Sequence, residues 1–129
     1  MSYTITPAEN SKYVRITVEA DLTIELAREY LFDAHQLGRE LGTNCYLLDV
    51  TRAPSAETAL NSYRFNRDGL EDIPGFDLKR SVAVLLAPGD RSHDFYVAVA
   101  QSAGDDITVF HDEAEAIAHL ETRADQPSS

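Results

Sequence analysis

Two strongly apolar segments constrain the fold of this chain more than any other feature of its sequence. Cys-Tyr-Leu-Leu-Asp-Val occupies residues 45–50, and Ser-Val-Ala-Val-Leu-Leu-Ala occupies residues 81–87. Neither segment alternates between apolar and polar residues, so both are predicted to be strands covered on both faces. Strands of that kind occur mainly in parallel sheets with helices packed against them, which favours an α/β fold.

The start of the chain predicts a β-hairpin followed by a long helix. Residues 3–6 are rich in β-forming residues, and residues 13–19 alternate as a strand with one buried face does. Asp21 or Thr23 is expected to cap the helix, and Gly42 to end it. The apolar stripe of this helix comprises Leu26, Ala27, Tyr30, Leu31, Ala34, Leu37 and Leu41.

The rest of the chain predicts three further helices and one more strand. A second helix starts at Pro54 and Ser55, and its inward residues are Ala56, Ala59, Leu60 and Tyr63. Ser92 is expected to cap a third helix, whose stripe is Phe95, Tyr96, Val99 and Ala103. A strand at 107–110 precedes a last helix, which Asp112 caps and which carries Ala116, Ile117 and Leu120. The order β-β-α-β-α-β-α-β-α predicts a mostly parallel sheet of about five strands with about four helices. We expect these elements to form a single domain over residues 1–121, followed by a flexible tail at residues 122–129.

This order of elements resembles the SpoIIAA-like superfamily, which includes the anti-sigma-factor antagonist (STAS) domains. The resemblance covers about residues 3–121. It is carried by the hairpin and long helix, by Leu-Leu-Asp-Val leading into a helix, and by Val-Ala-Val-Leu-Leu followed by Pro-Gly-Asp-Arg-Ser-His-Asp-Phe and later Ile-Thr-Val-Phe-His-Asp-Glu. It implies a non-enzymatic regulatory or protein-interaction module of bacterial type, and it also relates the fold to CRAL-TRIO lipid-transfer domains.

The chain departs from the family at the phosphorylation motif. Phosphorylatable members carry Asp-Ser-Ser-Gly after the third strand, whereas residues 51–58 here read Thr-Arg-Ala-Pro-Ser-Ala-Glu-Thr. Ser55 is therefore either a plain helix cap or a phosphorylation site. The resemblance does not carry the phosphorylation switch over to this chain.

Two loops are expected to meet where the parallel strands end. The loops at 51–55 and 88–93 follow neighbouring strands, and ligands of open α/β sheets bind at that edge. Helix N-termini and arginine forks both attract anions, so these loops form a candidate site for an anionic or amphipathic small molecule. The alternative is that Asp90 and Asp94 pair with the arginines. The candidate ligand-binding residues are Arg52, Ser55, Arg91, Ser92 and His93.

Two phenylalanines are predicted to point away from the core. Phe32 lies opposite the stripe of the long helix, and Phe65 lies opposite the stripe of the second helix, between Arg64 and Arg67. Phenylalanine and arginine are enriched in interfaces, so Phe65 with its two arginines is a candidate partner surface. Core packing at an irregular helix end and simple exposure remain open for Phe65.

The formal net charge of -11 argues against nucleic-acid binding and against anionic membranes. No phosphate-binding glycine motif, zinc-ligand spacing or cofactor signature occurs, and Ser92-His93-Asp94 cannot form a triad because adjacent helical residues point in different directions. Cys45 is expected to be a buried, inert thiol.

With neither a secretory signal nor a membrane span recognised, we expect a cytoplasmic homodimer that interacts with another protein. A small-molecule or lipid-binding domain is the alternative.

Overall fold

A five-stranded sheet and three helices make up residues 3–54 and 79–124, the residues that the computed structural model describes. The strands lie in the order β1-β2-β3-β4-β5. They are β1 (Tyr3–Pro7), β2 (Val14–Val18), β3 (Cys45–Asp49), β4 (Ser81–Leu85) and β5 (Asp106–Phe110). The helices are α1 (Ile24–Leu41), α2 (Asp94–Ser102) and α3 (Glu113–Ala124).

The strand pairing confirms the predicted hairpin and the α/β class. β1 and β2 pair antiparallel with Tyr3 opposite Val18, and the pairs β2–β3, β3–β4 and β4–β5 are all parallel. Every residue of β3 and β4 is buried, as the continuous apolar segments predict. The one antiparallel pair makes the sheet mixed. The described residues contain three helices, whereas four are predicted. The predicted second helix starts at Pro54, and its other residues lie within 55–78, outside the described residues.

Local capping chemistry explains both ends of α1. Thr23, not Asp21, is the cap, and its hydroxyl oxygen accepts a 3.2 Å hydrogen bond from the Leu26 N–H. Gly42 ends the helix at φ 75°, a left-handed conformation that costs glycine little because it has no Cβ. Both ends therefore follow from residue types in the immediate sequence.

The start of α2 differs from the prediction. Ser92 does not cap the helix, because its hydroxyl donates to Asp90 at 2.7 Å and α2 begins two residues later, at Asp94. The buried stripe is correspondingly rotated: Val97 and Ala100 face the core, whereas Phe95 is 49% exposed. Of the other predicted stripe residues, Tyr96 and Val99 are half-buried and Ala103 is exposed.

The sheet has a separate apolar core on each face. The larger core joins β2, β3 and β4 to α1 and α2, and Phe32 packs half-buried against it instead of pointing away as predicted. α3 covers the opposite face, where Ala116 and Leu120 contact the side chains of β3 and β4. Cys45 lies in this second core at 1% exposure, so the predicted buried thiol is confirmed, and burial raises its pKa.

α3 begins as predicted and ends later. The Asp112 carboxylate accepts a 2.8 Å hydrogen bond from the Ala114 N–H at its start. The helix runs through Ala124, so residues 122–124, predicted to belong to the tail, are helical. Among the described residues no helix has both the length and the apolar character that crossing a membrane requires.

Candidate functional site

The loop after β3 lies at the centre of the carboxyl edge of the sheet. The Ala53 carbonyl accepts a 2.8 Å hydrogen bond from His93 Nε2, and the Pro54 carbonyl accepts a 3.0 Å bond from the Leu22 N–H. These two bonds join the loops that follow β2, β3 and β4. The expected meeting of the loops at 51–55 and 88–93 is therefore present wherever the structure describes them.

His93 lies beneath the surface of this edge, not on it. The residue is 3% exposed, and its Nε2 carries the hydrogen because a carbonyl can only accept. Asp90 Oδ2 lies 3.8 Å from the same nitrogen, which is too far for a hydrogen bond. In this geometry His93 positions two loops, and the nitrogen that bonds Ala53 is not presented to a surface ligand.

The polar groups at the start of α2 bond mainly to one another. Arg91 Nε donates to Asp94 Oδ2 at 2.9 Å, and the Arg91 side chain is 87% exposed. The Ser92 hydroxyl and N–H both donate to Asp90 Oδ1, at 2.7 and 2.9 Å, and these bonds lower the pKa of the Asp90 carboxyl. Arg91 is thus already paired with a nearby carboxylate, that of Asp94, which is the alternative to a ligand site that the sequence left open.

Arg52 differs from Arg91 in having no partner in the described structure. It is exposed, and no described residue forms an ion pair with it. Ser55, the remaining candidate ligand residue, lies outside the described residues, and so do the candidate interface residues Phe65, Arg64 and Arg67.

Phe95 is the exposed large hydrophobic residue of the described structure. It lies in the first turn of α2 and is 49% exposed. The His93–Ala53 hydrogen bond holds the start of this helix against the loop that carries Arg52. Two exposed arginines on joined loops and an apolar ring in the adjoining first turn of α2 therefore lie at this edge. The sequence pattern predicts Phe95 in the core, and its exposure corrects that prediction.

A second polar cluster lies on the opposite face of the same edge. Arg15 Nη2 bonds Asp49 Oδ2 at 2.9 Å, and Arg15 Nη1 lies 2.5 Å from Glu113 Oε1 at the start of α3. Asp49 Oδ1 accepts from both the N–H and the hydroxyl of Thr51, at 3.0 and 2.7 Å. The sequence analysis did not predict this cluster. Two residues could have indicated it: Asp49 is an aspartate within an otherwise apolar strand, and Arg15 lies on the outward face of the neighbouring strand β2.

His93 has neither Asp90 nor Asp49 within hydrogen-bond reach, so it forms no acid–base pair with either carboxylate. Asp49 shares the face of Cys45 and Leu47, opposite to the face on which Ala53 packs, and it is bonded to Arg15. Within the described ranges no group of three or more His, Cys, Asp or Glu side chains is arranged to hold a metal ion.

Comparison of the chain with protein-family models, with curated proteins and with solved structures finds no match.

Proposed function

We propose that this protein is a non-enzymatic regulatory or protein-interaction module of the SpoIIAA-like or STAS type, and that it contacts its partner through the carboxyl edge of the sheet. The exposure of Phe95 carries this proposal. Phe95 is a half-exposed aromatic ring in the first turn of a helix whose start is held by a buried hydrogen bond, so it is already ordered before binding. This order lowers the entropic cost of forming an interface.

The chemistry around Phe95 supports a protein partner. Arginine and phenylalanine are both enriched in interfaces, and Arg52 and Arg91 lie on the two loops that meet beside Phe95. The hairpin followed by parallel βα units is the arrangement that the family resemblance implies. The proposal includes a cytoplasmic homodimer, with Phe65, Arg64 and Arg67 as a further candidate contact surface.

Affinity capture with matched variants tests this function. The wild-type chain should retain a specific protein at physiological salt, and Phe95→Ala should lose it. Ala98→Ser changes an exposed residue of the same helix and should retain the same protein. Identical capture by Phe95→Ala, or no specific protein on any variant, would contradict the proposal. Sedimentation analysis of the free chain tests the homodimer separately.

The exposure of Arg52 favours a second candidate, a small-molecule or lipid-binding domain with an anion site at the same loops. A guanidinium without a described ion pair is available to a carboxylate or phosphate. Native mass spectrometry of freshly purified protein would show a copurified anionic mass, lost in Arg52→Ala. A bare mass for the wild type would count against this candidate.

A further inference from the structure

The β5 edge of the sheet is obstructed for a further strand. The Phe110 carbonyl bonds the Leu86 N–H beside β4, so alternate residues of β5, Ile107 among them, turn their backbone groups outward. Both outward groups of Ile107 are paired within the chain: its N–H donates to the Asp105 carbonyl at 3.1 Å, and Gln101 Nε2 donates to its carbonyl at 2.9 Å. A strand from another chain therefore finds neither group available at this residue.

The β1 edge, at the other end of the strand order, is open where the structure describes it. The Ala8 N–H donates to the Tyr13 carbonyl at 3.0 Å, and such bonded positions recur at every second residue of an antiparallel pair. Thr4 and Thr6 therefore bond β2. The N–H and carbonyl of Ile5 point away from the sheet, and no described residue bonds them. An edge of this kind accepts a further strand.

The sequence of β1 matches a second copy of itself in the opposite direction. In an antiparallel pairing centred on Ile5, the two copies of Ile5 exchange N–H···O bonds, and each Tyr3 N–H meets the Pro7 carbonyl of the other copy. Thr4 then lies opposite Thr6 on the other face of the sheet. Apolar and aromatic residues meet on one face and threonines on the other, and both kinds of pair stabilise antiparallel strands.

Burial and charge favour the same pairing. Tyr3 and Ile5 pack against the larger core yet are only half-buried, and Pro7 is exposed, so a second β1 covers apolar surface that the single chain leaves open. Residues 3–7 carry no charged side chain, although the net charge of the chain is -11. Charged side chains on the strand, a common means of preventing edge pairing, are thus absent from β1.

We propose that two copies of this chain pair through β1 around a two-fold axis at Ile5, which joins two five-stranded sheets into one continuous sheet. This inference rests on the homodimer of the proposed function and gives that homodimer an interface. It does not use the surface at Phe95, because α2, which carries Phe95, packs on β5 at the opposite edge of the sheet.

Sedimentation equilibrium of the full chain tests the pairing at residue 5. The wild type should be a dimer, and Ile5→Pro should weaken dimerisation by about tenfold or more, because it removes the donors of both hydrogen bonds at the axis. The Ile5 N–H makes no bond to β2, so the proline leaves the pairing within the hairpin intact. Ile5→Val keeps the N–H and should dimerise like the wild type, and so should Phe95→Ala.

Two double variants that differ only at residue 4 test the register. Thr6→Glu combined with Thr4→Glu places carboxylates opposite each other across the axis and should give a monomer. Thr6→Glu combined with Thr4→Lys places an ammonium opposite each carboxylate and should keep the dimer. Physiological salt, with a Debye length of about 8 Å, screens the difference in net charge between the two. In hydrogen exchange followed by NMR, the Ile5 amide should be protected in the wild type and unprotected in the variant with two glutamates.

Three results would overturn the proposal. A monomeric wild type would contradict the homodimer as well and would leave β1 to a strand of a different protein. A dimer that persists in Ile5→Pro and equally in both double variants would keep the homodimer but place its interface elsewhere. Loss of the dimer in Phe95→Ala would place that interface at the carboxyl edge. Far-ultraviolet circular dichroism verifies folding, and should Ile5→Pro fail to fold, the two double variants decide alone.

Discussion

His93 Nε2 donates a 2.8 Å hydrogen bond to the carbonyl oxygen of Ala53, a residue 40 positions earlier in the chain. Ala53 is fully buried and His93 is 3% exposed, so water cannot replace this bond without opening the edge of the sheet. The bond joins the loop that carries Arg52 to the loop that carries Arg91. The surface proposed for partner binding therefore depends on a buried histidine.

His93→Ala should lower the free energy of unfolding by about 2–3 kcal/mol, because it removes a buried hydrogen bond, leaves the Ala53 carbonyl without its donor and creates a cavity. Urea denaturation monitored by circular dichroism measures the change. His111 is exposed, so His111→Ala serves as the control and should change the value by less than about 0.5 kcal/mol. Equal effects of the two substitutions would show that the His93 bond contributes little.

Asp49→Ala should destabilise the protein by about 2 kcal/mol. The substitution removes one ion-pair partner of Arg15 and the two hydrogen bonds that the Asp49 carboxylate accepts from Thr51. Glu113→Ala should cost less than about 1 kcal/mol, since the Glu113 side chain is 51% exposed and water replaces much of its interaction. Chemical denaturation of both variants gives the comparison. A larger loss for Glu113→Ala would contradict this ranking of the two carboxylates.

Gly42→Ala should lower the free energy of unfolding by about 1 kcal/mol. No atom lies within 4 Å of the added Cβ, so the cost arises from the left-handed backbone at φ 75° and not from a clash. Gly42→Asn should cost less, because asparagine tolerates this conformation better than alanine does. Thermal unfolding of the two variants measures the order, and equal melting temperatures would argue against the conformational explanation.

Ser92→Ala should destabilise the protein near neutral pH and lose that effect in acid. The bonds from Ser92 hold the pKa of Asp90 below its ordinary value, so the folded state is favoured while the carboxyl is ionised. That contribution disappears as pH falls through the lowered pKa. The difference between variant and wild type should therefore shrink in urea titrations as pH is lowered from about 4, near the ordinary pKa of an aspartate, through the lowered pKa of Asp90. A difference that stays constant over this range would exclude the linkage.

The sequence by itself determined the strands, the hairpin and the end of α1 at Gly42, and it left Asp21 and Thr23 as alternative caps for the start of α1. These features depend on neighbours only a few residues away along the chain. Local periodicity and backbone preference therefore report them directly, as in the apolar patterns of 45–50 and 81–87 and the alternation in β2.

Only the tertiary structure decided which side chains meet at the edge of the sheet. Phe95 is exposed because α2 begins after Ser92 and buries Val97 instead, and Phe32 reaches the core because of how α1 lies on the sheet. Arg15, Asp49 and Glu113 come from three elements and meet only when the strands align and α3 packs across them. Such contacts depend on the relative placement of whole elements, which no local pattern in the chain records.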